Sequence, residues 1–488
     1  MTKFYEHPEY EENEDSWETY HDLYEGDHKK LISPKYLWMH ELEYSQQTLS
    51  QDPMTGTTDT VGEKIRRIRC QRSRYYNLFE PVVSTWIAMA LSKPMRLNDE
   101  LIAMLGEDIN DIDGKGTNLF DFILGPIAIS YFRDGKSVIL ADAPSDPTVA
   151  GFRPTLEVLD VLDVKDWQYN DDGSLDLLRY EYTVVKPRES LDQEPKECEY
   201  CKVYSRNYDG TISVSIYEED EESRDWKFLE SYDIPLNMLP ISIGHNNEPW
   251  VKDVAEQQLV LFNLDSSYYN QLNTQAFQRV FVSGDLEDKH LISISEYAVS
   301  VLPPEAKPYV IEPANTDPLE RSIRAAMDKL YRVAFNRTRG VSSDSREAPG
   351  ASTLREMSTE LITLLVQAVG QLESITNRAI MDYAKFKLGE EKAKDFKGRI
   401  EFSRDITADD ITMQLQMFIA YRDSIMSISS WKKAHLKKVA VSMGYNVEER
   451  QEILKDIEED DQGSPTIPIG GQRSITLPTP RVRDSEGR

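Results

Sequence analysis

Cysteine is scarce in this sequence: Cys70, Cys198 and Cys201 are the three thiols among 488 residues. So few thiols cannot build a disulfide scaffold, and the sequence therefore predicts a protein of a reducing compartment. Cys198 and Cys201 have the spacing of a zinc or redox pair, but no second pair follows and no histidine cluster lies nearby. Residues three apart in a strand face opposite sides, so we expect no joint metal binding.

A long apolar run is also missing. A membrane helix needs about 20 consecutive apolar residues, whereas the apolar run at residues 119–132 is interrupted by Asp121, Gly125 and Pro126. The first six residues contain no basic segment followed by an apolar one, so no secretory signal is predicted. We therefore expect a soluble protein of the intracellular type, with no membrane partner.

Positive charge is in short supply. The chain has 56 Lys and Arg residues against 85 Asp and Glu residues, which gives a net charge of −29. A protein that holds DNA by neutralising phosphates is expected to be basic over at least one extended face. Any contact of this chain with nucleic acid should therefore be local or weak.

The sequence contains no convincing catalytic motif. Residues 135–137 read Gly-Lys-Ser, but a phosphate-binding loop needs a glycine five positions earlier, where the chain has Ser130. An apolar run follows the tripeptide, so a hairpin turn is predicted there. The seven histidines are scattered, without a pair at helical spacing beside a glutamate. We expect no enzyme activity, no metal and no cofactor.

The first half of the chain predicts helices followed by antiparallel strands. Residues 1–30 are acidic and aromatic, and we interpret them as a loosely attached, solvated arm rather than a specific docking peptide. Residues 63–92 have the period of one helix, and residues 118–141 are typical of a helix that leads into a hairpin. From 155 to 243 the period changes to two, which indicates an antiparallel meander.

After Pro249 the chain is mainly helical. Residues 251–282 keep one apolar stripe and predict a helix of roughly 45–50 Å. Residues 285–313 contain short strands and prolines, and a second helix follows Pro318.

A polar, glycine-flanked segment at 340–350 predicts a loop. The capping box at residues 353–356 then opens a very long helix, in which Gly370 is the position where a bend costs least. Further helices follow to about residue 461, and the Gly-, Pro-, Ser- and Thr-rich tail from 462 to 488 is typical of flexible chain.

This order of elements resembles that of a tailed-bacteriophage portal protein, the head-to-tail connector. The runs at 74–77 and 93–94 and the segment 239–246 are also similar to segments of a portal subfamily. The resemblance implies an α+β, mostly helical fold of wing, stem, clip and crown, with the meander in the wing. It implies these divisions: 1–30 acidic N-terminal arm, 31–249 wing, 250–283 first stem helix, 284–313 clip, 314–339 second stem helix, 340–352 tunnel loop, 353–400 long kinked wing helix and following strand, 401–461 crown and 462–488 flexible tail.

The resemblance also implies a function. The chain would form a ring, expected to be a dodecamer, at one vertex of a capsid in the virion, after assembly in the host cytoplasm. Double-stranded DNA would pass through the ring without sequence recognition during packaging and ejection. The implied partners are the terminase motor, a head-tail adaptor protein, and the major capsid protein or a scaffold.

Candidate functional residues follow from the same resemblance. The second stem helix is locally basic, and its candidate channel residues are Arg321, Arg324, Lys329, Arg332, Arg337 and Arg339. An alternative role for these cations is pairing between subunits or with Glu320 and Asp328, and the sequence leaves both open. The candidate tunnel-loop residues are Gly340, Ser342, Ser343, Asp344, Ser345, Arg346, Glu347, Pro349 and Gly350, and the candidate helix kink is Gly370.

Two other classes of function compete with a portal. Another head-tail adaptor or a minor capsid protein would also be a structural component of a virion, but such proteins seldom place a β and proline module between two long helices. A nucleic-acid-processing hydrolase is disfavoured, because it would need a metal or nucleotide cluster that the sequence does not contain.

Overall fold

The computed structural model has an α+β fold in which about half of the described residues are helical. The predicted α+β class is thereby confirmed. The residues that it describes fall in one compact unit, Met1–Arg422. They are residues 4–47, 60–143, 153–186, 196–220, 223–246, 249–276, 280–283, 307–310, 315–335 and 351–406.

The described elements follow one another in chain order. The helices are α1 (Pro8–Glu25), α2 (His28–Leu31), α3 (Val61–Arg72), α4 (Phe79–Ala90), α5 (Asp99–Leu105), α6 (Leu119–Phe122), α7 (Ala128–Asp134), α8 (Lys252–Ala276), α9 (Asp317–Phe335), α10 (Ala351–Leu388) and α11 (Glu390–Ala393). The strands are β1 (Arg96–Leu97), β2 (Lys136–Asp142), β3 (Thr155–Leu159), β4 (Val164–Tyr169), β5 (Leu175–Lys186), β6 (Lys196–Arg206), β7 (Ile212–Glu219), β8 (Trp226–Ile234), β9 (Ile241–His245), β10 (Val280–Ser283), β11 (Lys307–Val310) and β12 (Ile400–Glu401).

The predicted meander is confirmed, but it is divided between two sheets. Strands β4 to β8 form a five-stranded antiparallel sheet in simple chain order. Strands β3 and β9 instead pair with the two edges of β2, in the order β3-β2-β9. Strand β2 is central and buried along nearly its whole length, which explains its unbroken apolar sequence after Ser137.

The prediction of a hairpin within residues 118–141 is wrong. The residues expected in its first strand lie in α7, and a five-residue π turn at Ile123–Ile127 joins α6 to α7. Pro126 lies in that turn, where it has no N–H to donate, and a local widening of the helix accommodates it. Gly135 has φ 71° and ends α7 as its C-cap, so the chain runs from helix to strand, the reverse of a phosphate-binding loop.

The single helix predicted at residues 63–92 is two helices. Ser73 is extended and ends α3. Asn77 Oδ1 then accepts hydrogen bonds from the backbone N–H groups of Phe79 and Glu80, each at 3.1 Å, and so caps the start of α4. The polar residues between the two apolar runs mark this break, which a continuous 3.6-residue period conceals.

The acidic N-terminal segment is not a solvated arm, and that interpretation is wrong. It forms α1, whose N-cap is His7, with Pro8 at the first helical position. Tyr10, Trp17 and Leu23 are buried beneath its acidic outer side. The Trp17 indole N–H also donates a hydrogen bond to the backbone oxygen of Asp134 at 3.1 Å. Aromatic residues on one face therefore dock a helix whose overall composition is typical of a mobile arm.

The second half of the described chain keeps the predicted order with shorter elements. The helix predicted at 251–282 ends at Ala276, because Val280–Ser283 is a strand that pairs antiparallel with β11. Helix α10 begins at Ala351, two residues before the predicted capping box, and β12 follows it and pairs with β1. The predicted bounds 340–352 and 401–461 are wrong at their starts or ends, because residues 351 and 352 belong to α10 and Glu401 belongs to β12. Residues 340–350, most of the clip, the predicted crown beyond residue 406 and the tail lie outside the described residues. Among the helices that are described, none is long and apolar enough to cross a membrane.

Replacing Trp17 with alanine should lower the free energy of unfolding by about 3–5 kcal/mol, because a buried indole and its hydrogen bond are removed. Chemical denaturation followed by circular dichroism measures the change. Glu12→Ala, on the exposed side of α1, is the matched control and should cost less than about 0.5 kcal/mol. Equal, small effects of the two substitutions would show that α1 is not docked.

Candidate functional site

Helices α8 and α9 form an antiparallel pair, and α9 carries the candidate channel residues. At one end of the pair the Tyr268 hydroxyl of α8 donates a hydrogen bond to Glu320 Oε1 of α9 at 3.0 Å. Strands β10 and β11 follow α8 and precede α9, and they pair as a two-stranded ribbon. The arrangement is helix, ribbon, helix, with α8 about 37 Å and α9 about 28 Å long.

The other end of the pair is anchored on Trp86 of α4. The Trp86 indole N–H donates a hydrogen bond to the backbone oxygen of Ala334 at 3.1 Å, in the last turn of α9. Its ring centroid lies 5.5 Å from that of Trp250, just before α8, and 6.5 Å from that of Phe335. Because Trp86 is fully buried, one aromatic cluster holds the start of α8 and the end of α9.

The exposed face of α9 is basic. Ile323, Ala326 and Leu330 are buried on one side of the helix. The cations on the opposite side are exposed, and they are Arg321, Arg324, Lys329 and Arg332. The structure therefore brings four of the six candidate channel residues to one face. The other two, Arg337 and Arg339, lie outside the described residues.

The alternative of pairing within α9 is only partly supported. Arg321 Nε donates a hydrogen bond to the backbone oxygen of Asp317 at 3.3 Å, one turn earlier in the same helix. Glu320, a candidate partner for the cations, accepts its hydrogen bond from Tyr268 instead. That carboxylate therefore joins α9 to α8. Asp328 is exposed on the same face as the cations, one helical turn from both Arg324 and Arg332, so pairing with Asp328 and pairing between subunits both stay predictions.

Two amide side chains of α8 hold the pair to the N-terminal part of the chain. Gln258 Nε2 donates to the Tyr76 backbone oxygen at 2.7 Å, and its Oε1 accepts from Leu78 N at 3.3 Å. Asn263 Oδ1 accepts from Trp38 N at 2.8 Å, while its Nδ2 donates to the Tyr36 oxygen at 2.8 Å. Sequence reasoning missed both residues, because a buried amide between apolar positions has no periodic signal of its own.

A buried carboxyl group lies in the middle of α8. Asp265 is 6% exposed, and burial raises its pKa to about 7. Nearby, the Tyr76 and Tyr269 hydroxyls are 2.6 Å apart, and burial raises the pKa of Tyr76. This part of the helix pair is therefore polar, enclosed and sensitive to pH.

The predicted tunnel loop and helix kink both stay predictions. Residues 340–350 lie outside the described part of the chain. Helix α10 is continuous through Gly370, and a Cβ atom there would lie 3.7 Å from Arg404 Nη2, an ordinary contact. Steric crowding therefore gives no reason for a glycine at this position.

The cysteine pair lies on β6. Both side chains are buried, and burial raises the pKa of Cys201 to about 12, which favours an inert thiol over a reactive thiolate. Their spacing of three residues in this strand places them on opposite faces. Among the residues that the structure describes, no group of three or more His, Cys, Asp or Glu side chains could hold a metal ion.

Replacing Asp265 with asparagine should stabilise the protein at pH 8 and have little effect near pH 4. The unfolded chain ionises this carboxyl near pH 4, whereas the folded chain keeps it protonated to about pH 7. Wild-type stability therefore falls as the pH rises through this window, by up to about 4 kcal/mol. Denaturation of both proteins at the two pH values measures the difference, with exposed Glu256→Gln on α8 as the control. A gain at pH 8 no larger than at pH 4 would contradict the prediction.

Comparison with known proteins gives only distant structural similarity. No protein-family model matches the chain, and no curated protein matches it. The chain is similar to a protein in the neck of an empty gene transfer agent particle computed with C6 symmetry, with 13% identity, a TM-score of 0.35, and coverage of 77% of this chain and 89% of that chain. It is also similar to a protein in the virion of a native gene transfer agent particle, with 13% identity, a TM-score of 0.34, and coverage of 73% and 89%. Similarity at this level is too low to assign the chain to a family.

Proposed function

We propose that this chain is a structural protein of the head-to-tail junction of a phage-like particle, and more specifically its portal. Copies of the chain would form a ring at one capsid vertex, and double-stranded DNA would pass through the ring during packaging and ejection. The observation that carries the proposal is the one-sided basic face of α9, on a helix-ribbon-helix unit of a chain with a net charge of −29.

The charge distribution supports passage of DNA rather than tight binding. An acidic background repels the phosphate backbone over about 8 Å at physiological salt, so a duplex would not adhere along the whole wall. Arg321, Arg324, Lys329 and Arg332 would touch phosphates without reading the sequence. A few cations on an acidic wall would therefore guide the duplex without trapping it.

The order of elements supports a ring of identical copies. Helices α8 and α9 are the proposed stem, and the β10–β11 ribbon begins the proposed clip. Each subunit would present one side of the helix pair to the axis, and a head-to-tail contact between copies closes into a ring when the rotation fits. Because Ala351 and Ser352 belong to α10 and Glu401 belongs to β12, the tunnel loop would be residues 340–350, and the crown would follow β12 and extend to residue 461.

The remaining parts of the proposal come from the portal resemblance. The ring would be a dodecamer in the virion and would meet the terminase motor first and a head-tail adaptor protein later. The wing would contact the major capsid protein or a scaffold. The role is structural rather than catalytic, with no cofactor.

The first test is electron microscopy of the purified full-length chain. A portal should form closed rings with an open central channel, and twelve copies are expected. Rings without a through-channel would favour an adaptor or minor capsid protein. A chain that stays monomeric under all assembly conditions would overturn the proposal.

The second test neutralises the basic face of α9. The double variant Arg324→Gln and Arg332→Gln should still form rings, because both side chains are exposed. Its rings should associate more weakly with double-stranded DNA, and the salt dependence of log K should become shallower by about 1 for each phosphate that is no longer neutralised. The variant Lys115→Gln and Lys394→Gln, with two exposed cations on other elements, has the same change of charge. Equal DNA association of both variants would exclude α9 from the channel wall.

A further inference from the structure

Residues 4–7 form a strap that crosses the five-stranded sheet before α1 begins. The Phe4 ring packs edge-on against the Tyr217 ring of β7, with 5.1 Å between their centroids. Arg179 Nη2 of β5 donates a hydrogen bond to the Tyr5 backbone oxygen at 3.2 Å. The start of the strap is therefore held by side chains on one face of the sheet.

His7 holds the end of the strap on the edge of the same sheet. Its backbone N–H donates a hydrogen bond to the Lys165 backbone oxygen of β4 at 2.9 Å. Its ring stacks on the Trp167 ring of β4, with 4.0 Å between their centroids. Strand β4 stands at one end of the sheet order, so His7 covers part of an edge that would otherwise be open to another strand.

The side chain of His7 also caps α1. Its Nδ1 atom accepts a hydrogen bond from the Glu9 backbone N–H at 3.2 Å. A backbone N–H can only donate, so Nδ1 must offer its lone pair, and the proton of the neutral ring lies on Nε2. The proton that makes an imidazolium therefore has to bind the atom that forms the cap. Protonation removes the cap and also places a cation at the positive end of a helix dipole.

A second cation lies against the same indole ring. Lys136 Nζ is 3.1 Å from the Trp167 ring centroid, and because His7 stacks on that ring at 4.0 Å, the two lie on opposite faces of it. Burial lowers the pKa of Lys136 to about 8, so this lysine is charged in mildly acidic solution. An imidazolium at His7 would therefore face a cation across the indole.

The charged and titratable groups around the start of α1 come from several elements. They are Glu6 of the strap, Glu9 of α1, Lys136 of β2, Asp163 and Lys165 at the start of β4, Arg179 and Glu181 of β5, His245 of β9 and Arg378 of α10. Glu9 lies 3.7 Å from Lys136, and Glu181 lies 2.7 Å from Arg179, so both carboxylates already have a cation beside them. Glu6 is exposed, and an exposed ion pair contributes little. Desolvation and the charge of Lys136 lower the pKa of His245, which lies across from that lysine. Positive charge is therefore disfavoured in this region.

The second half of α1 responds to acid in the opposite sense. His21 Nε2 lies 3.2 Å from Asp134 Oδ1, and His21 Nδ1 lies 3.4 Å from Asp160 Oδ2. A protonated ring is attracted to both carboxylates, so acid strengthens this contact. Loss of the cap at His7 should therefore loosen the start of α1 and leave its second half docked.

We propose that residues 4–7 are an acid-released strap, in which protonation of His7 at Nδ1 frees the strap and the first turn of α1 from the sheet. Release uncovers the outer edge of β4 and the part of the sheet beneath Phe4. The rest of α1 stays in place, because Trp17 and His21 hold it. The strap shares no residue with the proposed DNA channel, so release can fail while the portal function holds, and the reverse.

Hydrogen–deuterium exchange of the full-length chain at pH 7.5 and pH 5.5 tests the release, with protection factors that correct for the intrinsic effect of pH on exchange. In the wild type, the protection of the amides of residues 9–11 should fall by about fivefold or more at pH 5.5, because a helix cap is lost. His7→Asn should keep this protection at both pH values, since asparagine caps a helix and does not titrate. His7→Ala should have low protection at both. The amides of residues 17–25 and of β6 are the internal reference and should stay protected throughout.

Two histidine variants serve as controls. His28→Asn, at an exposed position of α2, and His245→Asn should both lose protection at pH 5.5 as the wild type does. Equal protection of the wild type at the two pH values, or an equal loss in His7→Asn, would overturn the strap. If His245→Asn alone removes the pH dependence, the proton binds on β9 and the assignment to His7 is refuted. A parallel loss of protection in β6 would show that the whole fold loosens, which also contradicts a local release.

Discussion

The excess of acidic over basic residues is the constraint on which the rest of the structure depends. With a net charge of −29, a copy of this chain repels both another copy and DNA, and the repulsion extends over about 8 Å at physiological salt. Attraction to either partner therefore requires cations that are concentrated locally and point outward. The outer face of α9 meets this requirement.

Cations inside the fold have a different role. Lys202 on β6 pairs with Asp142 Oδ2 of β2 at 2.8 Å and so joins the two sheets. Lys136 lies 3.1 Å from the centroid of the Trp167 ring, and burial lowers its pKa to about 8. Arg69 of α3 pairs at 3.0 Å with Glu43, which lies in the 3₁₀ turn Glu41–Tyr44, and the two charges neutralise each other. Because these cations are buried and their contacts lie within the fold, they fix the packing of neighbouring elements and contribute little to attraction of a partner.

The sequence predicts the elements with a strong local period and misses those that tertiary contacts decide. The meander and the split of α9 into apolar and basic faces follow from periods of two and 3.6. The docking of α1 was not predictable from its charge, because the side chains that decide it, such as Trp17, are a minority on one face. The prediction of a hairpin between α7 and β2 was wrong for a similar reason. Gly135 can end a helix as readily as it can form a hairpin turn. The two cases are distinguished only by the pairing of β2 with β3 and β9, which is a tertiary contact.

The anchoring of α9 explains how its basic face could act on a partner. Trp86 fixes the end of the helix through the Ala334 backbone oxygen, and Glu320 fixes its beginning through Tyr268. Neither contact uses a cation, so Arg324 and Arg332 stay exposed while the helix that carries them is held at both ends. In the proposed ring, a charge on a held helix would keep its position as a duplex moved past it, and the energy of each phosphate contact would then differ little from one step to the next. A guiding surface needs that uniformity, because a deep minimum at any step would stop the duplex.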